Sequence, residues 1–405
     1  MTGARTSRIL MLLAGLLAVG PAAGPTAAQS ITSIRGLGYP LVPVDARTEV
    51  LGGLGVGLQG LAAPLTNPAA AAGVLRRGAV VSLAALEQEA ALGEATDAMG
   101  TTRFPLIRIL FPVGDVVLTA GYGGYLDQSW AVSREGQQLT GGDLISYRDL
   151  IRSTGGIGQF QVGAAAPVGS RLAVGAAVGL HTGSRRLDQQ RLFDSTAFGR
   201  LEPFTDSRTV HYSAPMAQLG AQWDPLEILR VGASVTWAGT LTADSARGSA
   251  VTTEYELPLQ VAGGASAYLA PTLLATVSGR WSGWSTTGDI IGLGGDGAGR
   301  SAGRDTWEVG GGLELDNPDS RAERSYPLRL GFQYRELPFT FVSEAPTEWF
   351  VGAGAGMRLG PSAENPLARV DLTVQRGERS TPGGDLGELT ESAWRFSLSL
   401  SIFGM

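Results

Sequence analysis

Histidine is the residue most often used for acid–base catalysis near neutral pH, and this sequence has two, His181 and His211. No GxSxG nucleophile motif accompanies them, so we assign no catalytic residue. The sequence has no cysteine and no HxxxH spacing, which argues against a transition-metal site. Asp289, Asp296 and Asp305 are too far apart for a calcium-binding loop. We therefore predict a protein that is not an enzyme and binds no metal and no cofactor.

A glycine-rich stretch, Gly55-Val56-Gly57-Leu58-Gln59-Gly60, fits the GxGxxG pattern of dinucleotide-binding proteins. That pattern binds phosphate only where a strand precedes it and a helix follows it, and no such βαβ pattern surrounds this one. We interpret the stretch as a compact segment of small residues that packs inside a larger structure. The formal net charge is −6, and basic and acidic residues are interspersed, which argues against a nucleic-acid surface.

Three arginines, Arg185, Arg186 and Arg191, are close together in the sequence. Guanidinium groups pair with carboxylates and phosphates, so these residues could attract the carboxylate of an amphiphile or the phosphates of outer-leaflet lipid. The alternative is a solvated loop in which Asp188 and Asp194 balance the charge.

Strands are the elements predicted to position these residues, and the clearest strand pattern lies at the end of the sequence. From Ala393 to Phe403, apolar residues (Trp394, Phe396, Leu398, Leu400 and Ile402) alternate with polar ones. Side chains of a strand alternate between its two faces, so one face is apolar and the other polar. Such a strand suits a transmembrane barrel, with lipid outside and a polar lumen inside, or the edge of a soluble β-sandwich.

The connections favour the barrel. We predict fourteen strands from residue 78 onward, and the links between them tend to alternate between short and long, as in outer-membrane barrels. Residues 88–102, 131–146, 185–204, 285–301 and 379–389 are predicted as long loops. After residue 28 no apolar run is long enough for a transmembrane helix. We therefore predict an all-β fold, a transmembrane antiparallel β-barrel of about 14 strands over residues 78–405; a secreted soluble β-protein is the alternative.

The beginning of the chain has the features of an export signal. Arg5 and Arg8 precede an apolar run, Ile9–Val19, and small residues follow, so residues 1–28 are predicted as a signal peptide. Residues 29–77 are rich in glycine and small aliphatic residues and do not have a strand pattern. We treat residues 29–77 as a separate N-terminal region.

Several short motifs resemble those of a known family. Asn67-Pro68-Ala69-Ala70, after glycines and small residues, resembles the N-terminal signature of the outer-membrane long-chain fatty-acid transporters (FadL type). Residues 153–159, residues 328–335 with Pro338-Phe339, and Glu391 ahead of Trp394-Arg395-Phe396 resemble the broader group of hydrophobic-compound barrels. The resemblance implies a barrel in the outer membrane of a Gram-negative bacterium whose lumen is plugged by the N-terminal segment, with Asn67, Pro68 and Ala69 in the plug.

The function implied by this resemblance is passive uptake of hydrophobic or amphipathic small molecules, such as fatty acids or aromatic compounds. The broader group also includes the barrel that shuttles cargo in type IX secretion, so a docking or shuttle partner for secreted proteins is the alternative. Candidate ligand-binding residues are the apolar ones of the N-terminal region and of the loop after residue 191: Leu54, Leu58, Leu61, Phe193 and Phe198.

Other expectations concern partners and the lumen. We expect contacts with outer-membrane lipid, a hydrophobic small-molecule ligand, and recognition of the C-terminal strand by the barrel-assembly machinery; no nucleic acid is expected, and the sequence does not specify an oligomeric state.

Polar residues of the lumen are expected to pair with acidic or polar groups of the wall or plug, because buried charges need partners; these are Arg230, Arg280, Gln161 and Arg395. The tryptophans near strand ends are expected to anchor the barrel at the membrane interfaces; these are Trp223, Trp237, Trp281, Trp284, Trp307, Trp349 and Trp394.

Overall fold

Fourteen long strands form the wall of the molecule. The computed structural model describes residues 36–60, 64–92, 95–140, 143–193, 203–245, 252–290, 301–316, 324–340, 345–360, 367–384 and 387–404. In chain order the wall strands are β1 (Gly78–Leu92), β2 (Ala95–Val113), β3 (Val116–Asp127), β4 (Asp143–Val168), β5 (Leu172–Phe193), β6 (Phe204–Leu226), β7 (Leu229–Ala238), β8 (Gln260–Ala270), β9 (Leu273–Ser282), β10 (Thr306–Leu315), β11 (Leu328–Glu336), β12 (Thr347–Leu359), β13 (Ala368–Gly384) and β14 (Gly387–Phe403).

These strands close into a barrel. Each wall strand pairs antiparallel with the next, and β1 pairs with β14 from Gly78↔Phe403 to Leu92↔Leu389. Closure leaves no free edge in the wall, so the backbone groups of the first and last strands are satisfied without water. The prediction of an all-β antiparallel barrel of fourteen strands is confirmed.

The two faces of the wall differ as the alternation predicts. On β13, Leu372 and Val374 point outward and are 53% and 43% exposed, whereas Asp371, Thr373 and Gln375 point inward and are buried. On β14, Trp394 and Phe396 are exposed and the serines between the apolar residues face the interior. The outward face is therefore an apolar band of the kind that faces lipid, and the inward face is polar.

The two ends of the barrel have different connections. Residues 114–115, 169–171, 227–228 and 271–272 form short turns at one end, the turn end, where the wall also begins and finishes. Most connections at the opposite end, the loop end, are longer and include the short strands Trp130–Thr140, Thr240–Ser245, Thr252–Glu256, Asp289–Ile290 and Ser301–Ala302. Two connections at the turn end are also long: residues 316–327, which include the short strand Arg324–Ser325, and residues 360–367.

The strands are longer than the sequence predicts at the loop end. Residues 88–102 and 379–389 were expected to be loops, but β1 continues to Leu92, β2 begins at Ala95, and β13 and β14 leave only residues 385–386 between them. Most of 131–146 and the first part of 185–204 are strands as well. The prediction was wrong because these residues are polar, and polarity marks the end of the lipid-facing region rather than the end of strand pairing.

The N-terminal segment, defined as residues 36–60 and 64–77, has little regular structure. It contains a two-residue strand, Tyr39–Pro40, a short helix α1 (Ala46–Val50) and a 3-10 turn (Pro68–Ala71). The Asp45 side chain accepts a hydrogen bond from the Thr48 amide and caps α1. Among the described residues, none of the helices has the length and apolar character needed to span a membrane. Residues 1–28, the predicted signal peptide, lie outside the described residues.

Leu372 provides a test of the wall's orientation. It lies outward on β13, paired with Leu398 of β14 in the middle of the apolar band. A positive charge near the bilayer midplane costs a barrel about 2–4 kcal/mol, so we expect Leu372→Arg to lower the free energy of unfolding by about that amount. Denaturant unfolding in lipid vesicles measures this loss, with Leu372→Val as the matched control. Equal stability of Leu372→Arg and the wild type would contradict a lipid-facing position.

Candidate functional site: the barrel interior and the N-terminal segment

The N-terminal segment lies directly against the inner face of the wall at positions that have no side chain. A Cβ atom at Gly331 of β11 would overlap the carbonyl oxygen of Val50, and one at Gly220 of β6 would overlap Oδ1 of Asn67. Such close approach of two backbones requires glycine. A Cβ atom would also meet backbone atoms of the segment at glycines of β5, β7 and β10: Gly175, Gly232, Gly310 and Gly312. At Gly121 and Gly123 of β3 it would meet the side chains of Leu65 and Pro43.

The Asn67-Pro68-Ala69 motif is a point of attachment. Oδ1 of Asn67 accepts a hydrogen bond from the Ala69 amide at 3.0 Å and so caps the 3-10 turn that begins at Pro68. Its Nδ2 donates to the carbonyl oxygens of Val56 at 2.9 Å and of Ala221 on β6 at 3.2 Å. Asn67 is fully buried. One side chain therefore joins two parts of the N-terminal segment to the wall.

A cluster of buried ion pairs joins α1 to the wall. Arg47 donates from Nε and Nη2 to the two carboxylate oxygens of Glu314 on β10, at 2.7 and 2.6 Å. Arg329 of β11 also binds Glu314, at 2.5 Å, and binds Asp371 at 2.8 Å. Asp371 binds Arg369 as well, at 2.6 Å. Buried charges of both signs alternate through this cluster, so each has a partner where water is scarce.

A second cluster holds the beginning of the segment. Oη of Tyr39 lies 2.8 and 2.9 Å from the two carboxylate oxygens of Glu348 on β12. The guanidinium groups of Arg335 and Arg379 lie 4.6 and 4.5 Å from the centre of the Tyr39 ring, and both also pair with Glu348. Arg379 further pairs with Glu391. Tyr39 thus donates a hydrogen bond to Glu348, accepts one from Arg335, and makes two cation–π contacts.

The expected pairing of polar lumen residues is confirmed. Arg280 pairs with Glu308 at 2.6 Å, Arg395 with Glu49 of the N-terminal segment at 3.2 Å, and Arg230 with Asp224 at 2.7 Å. Gln161 donates to the carbonyl oxygen of Leu65 at 3.5 Å, the limit of a hydrogen bond.

An apolar cluster lies between the N-terminal segment and the loop end. Trp284 is almost completely buried, and its ring lies 6.4 Å from that of Tyr125 and 5.4 Å from that of Phe339. Tyr212 and Met216 of β6 belong to the same cluster. The remaining members are aliphatic or small: Leu37, Leu126, Ile157, Ala214, Ala238, Leu241, Ala243 and Leu257. Aromatic and aliphatic side chains therefore form one continuous apolar region inside the barrel at its loop end.

The sequence did not identify this cluster. Trp284 was expected at the membrane interface, and that interpretation is wrong, because Trp284 is 2% exposed and faces inward. Trp223, Trp237, Trp307, Trp349 and Trp394 are exposed on the outer face. Trp284 begins a 3-10 turn just beyond β9, where strand periodicity no longer indicates a direction. The available signal was that Trp284 and Phe339 each lie a few residues beyond the end of a strand, β9 and β11 respectively.

The predicted ligand-binding residues do not lie together. Leu54 is buried with Val56 and Ala262, and Leu58 is buried with Leu51 and Leu274. Phe193, which ends β5, is partly buried and pairs with Tyr147. Leu61 and Phe198 lie outside the described residues. The assignment of these five residues as ligand-binding stays a prediction.

The two histidines lie in different environments, and two of the three neighbouring arginines, Arg186 and Arg191, have different partners. His181 is buried beside Tyr125, whereas His211 is exposed. Arg186 pairs with Asp188 at 2.9 Å, and Arg191 pairs with Asp149 at 2.7 Å. These two arginines lie on a strand, so the expectation of a loop is wrong. Asp188 balances Arg186 as the alternative interpretation expected, but the partner of Arg191 is Asp149 of β4, and Asp194 lies outside the described residues. Within the described ranges no group of three or more metal-binding side chains occurs.

The space between the N-terminal segment and the wall is small. Three cavities there have volumes of about 50, 30 and 20 Å³. The largest is lined by Tyr39, Leu41, Arg335 and neighbouring residues. A cavity that holds benzene in a protein core has a volume of about 150 Å³. None of the three cavities can hold an aromatic molecule without movement of the segment or of the wall.

Comparison with known proteins identifies the fold. No family model matches this chain, and no curated protein does. Solved structures do match. A FadL homologue from Pseudomonas aeruginosa aligns with a TM-score of 0.61 at 13% identity, covering 90% of this chain and 99% of that one. The toluene transporter TbuX of Ralstonia pickettii gives a TM-score of 0.56 at 17% identity, over 91% and 99%. The toluene transporter TodX of Pseudomonas putida gives 0.55 at 14%, over 92% and 99%. The chain has the FadL-type outer-membrane transporter fold.

Glu314 tests the attachment of the N-terminal segment. Glu314→Gln leaves Arg47 and Arg329 without a full counter-charge, and breaking a buried pair in this way costs about 3–5 kcal/mol. We expect amide hydrogen exchange of residues 46–58 to accelerate by at least about a hundredfold, since 1.4 kcal/mol is a factor of ten. Hydrogen exchange read by mass spectrometry measures this. Glu135→Gln is the control, because the Glu135–Arg148 pair is exposed. Unchanged exchange in Glu314→Gln would show that the ion pair does not hold the segment.

Proposed function

We propose that this protein is an outer-membrane channel for the passive uptake of hydrophobic or amphipathic small molecules, closed at rest by its N-terminal segment. The observation that carries the proposal is the order of layers inside the barrel. An apolar, aromatic cluster lies toward the loop end, and the N-terminal segment lies beyond it. Binding pockets for such solutes are concave and mostly apolar, with few polar groups, and the cluster has that composition.

The contacts of the N-terminal segment support its role as a plug. It touches glycines of several wall strands, and the three cavities described beside it have volumes of about 50, 30 and 20 Å³. Asn67, Pro68 and Ala69 attach it to β5 and β6, and Arg47 attaches it to β10. A solute that enters the cluster therefore passes only if the segment moves or the wall opens.

The chemistry of the outer face supports a place in the outer membrane. An apolar band on the outside of a barrel is stable in contact with lipid acyl chains, and outer-membrane lipid provides them. In such a membrane the loop end faces outward and the short turns face the periplasm. Assembly by way of β14, the strand that closes the barrel against β1, fits the proposed recognition of the C-terminal strand by the assembly machinery.

A disulfide lock tests whether the segment must move. The amide nitrogen of Ala46 lies 2.6 Å from Oγ of Ser399 on β14, and the chain has no other cysteine to interfere. Ala46→Cys with Ser399→Cys should join segment and wall on oxidation, because the two residues are in direct contact and a disulfide forms where two Cβ atoms can come within about 3.5–4.5 Å. We expect the oxidised variant to lose at least about nine-tenths of its uptake, since closed channels do not turn over, and to recover it on reduction.

The uptake assay uses cells with an intact lipopolysaccharide layer and two radiolabelled probes, toluene and 4-phenylbutanoate. The two single-cysteine variants, with and without oxidant, are the controls. Wild-type uptake by the fully oxidised double variant would contradict movement of this part of the segment.

Mass spectrometry of small molecules that co-purify in a mild detergent separates the proposal from its alternative. A discrete hydrophobic compound bound to the barrel supports transport. An empty barrel that carries exported proteins with it would instead favour the docking or shuttle function.

A further inference from the structure

One of the three interior cavities lies at the turn end and is lined mainly by charged side chains. This turn-end cavity has a volume of about 30 Å³, and Gly60 of the N-terminal segment and Thr272 of the turn between β8 and β9 both line it. The charged groups of its lining are four guanidiniums and two carboxylates: Arg47, Arg329, Arg358, Arg369, Glu314 and Asp316. Positive charge therefore exceeds negative charge in the lining.

The carboxylate behind the lining reduces this excess but does not remove it. Asp371 is fully buried and binds Arg329 at 2.8 Å and Arg369 at 2.6 Å. With Asp371 included, four positive groups of the described residues stand against three negative ones. One positive charge around the turn-end cavity thus has no carboxylate to balance it.

Arg47 also has a donor atom that is not used. Its side chain is 4% exposed, and Nε and Nη2 bind Glu314, whereas Nη1 is buried and has no hydrogen-bond partner among the described residues. Asp45 acts electrostatically on Arg47, but it acts on Arg108 in the same way. Since Asp45 and Arg108 have opposite charges, together they leave the positive excess unchanged.

We propose that the turn-end cavity binds one chloride ion, and that this ion helps to hold the N-terminal segment against the wall. A buried positive charge without a counter-charge is costly, and a bound anion removes that cost. A cavity needs about 10–15 Å³ to admit one water-sized group, so this one admits a single-atom anion but not a molecule with a hydrocarbon body. The site is therefore distinct from any site for a hydrophobic solute and goes beyond the proposed uptake function.

The ion site is complete only while the segment is in place. Arg47 belongs to the segment, whereas Arg329, Arg358 and Arg369 belong to β11, β12 and β13. Displacement of the segment removes Arg47 and opens the cavity. A ligand that binds one of two states stabilises that state by mass action, so chloride should favour the attached segment.

Replacement of chloride by gluconate at constant ionic strength tests this effect. The full-length mature protein in mild detergent is compared in about 150 mM sodium chloride and in the same concentration of sodium gluconate, whose anion is too large for the cavity. With a dissociation constant of about 15 mM, we expect amide hydrogen exchange of residues 46–58 to be about tenfold slower in chloride. Equal exchange in the two salts would overturn the proposed role of the ion.

Three variants show whether the effect arises at this site. Arg369→Gln removes the excess charge, so the ratio of the two exchange rates should fall to about one, whereas Arg369→Lys retains the charge and most of the effect. Arg280→Gln is the matched control, because Arg280 also pairs with a carboxylate in the interior but lines a different cavity. A chloride effect that persists in Arg369→Gln would place the ion elsewhere and overturn the assignment.

Bromide locates the ion directly, because its anomalous scattering identifies it in a crystal. Crystals of the full-length protein grown in sodium bromide should show a peak in the turn-end cavity, within hydrogen-bonding distance of Nη1 of Arg47, and crystals of Arg369→Gln should not. A peak in the wild type without a chloride effect on exchange would indicate an adventitious ion only. An empty cavity would overturn the site itself. Neither result bears on uptake, which the disulfide lock tests separately.

Discussion

The arrangement of the barrel interior depends on close contact between the backbone of the N-terminal segment and the backbone of the wall. This contact requires wall positions without side chains. Gly220 and Gly232 lie on the neighbouring strands β6 and β7, and Gly331 lies on β11; each meets a carbonyl or amide oxygen of the segment. A methyl group at any of them would push the segment away from the wall. The high glycine content of the chain, 59 of 405 residues, is thus explained in part by an inner surface that has to admit a second layer of backbone.

Electrostatics complements this close contact. The segment brings Arg47, Glu49 and Tyr39 to carboxylates and guanidiniums of the wall. Each cluster contains both positive and negative groups, and some of its ion pairs join the segment to the wall. Displacement of the segment separates these pairs and leaves charges on the wall that water must solvate. Under the proposed function, these contacts would keep leakage low at rest, and a permeating solute, or water entering with it, would have to compensate the separated charges.

The fold was predictable because strands that face lipid on one side and a polar interior on the other have a period of two, and this period occurs throughout the chain. The lengths of the strands were not predictable, since beyond the lipid both faces become polar while backbone pairing continues, as in β1 and β13. The interior was only partly predictable. A buried charge is costly without a partner, so acidic partners of Arg280 and Arg395 could be expected. Which residues these partners are, Glu308 and Glu49, depends on strand register and on the path of the segment. Trp284 was misplaced because its direction is set by a 3-10 turn.

Single-channel conductance in planar bilayers tests the central claim, that the N-terminal segment closes the barrel. The full-length mature chain is compared with a chain that lacks residues 36–77, after both have been shown to form heat-modifiable barrels. The account predicts no lasting conductance steps for the full-length chain and discrete steps of constant size for the shortened one. A shortened chain that is as silent as the full-length chain, or a full-length chain that conducts equally well, would contradict closure by the segment.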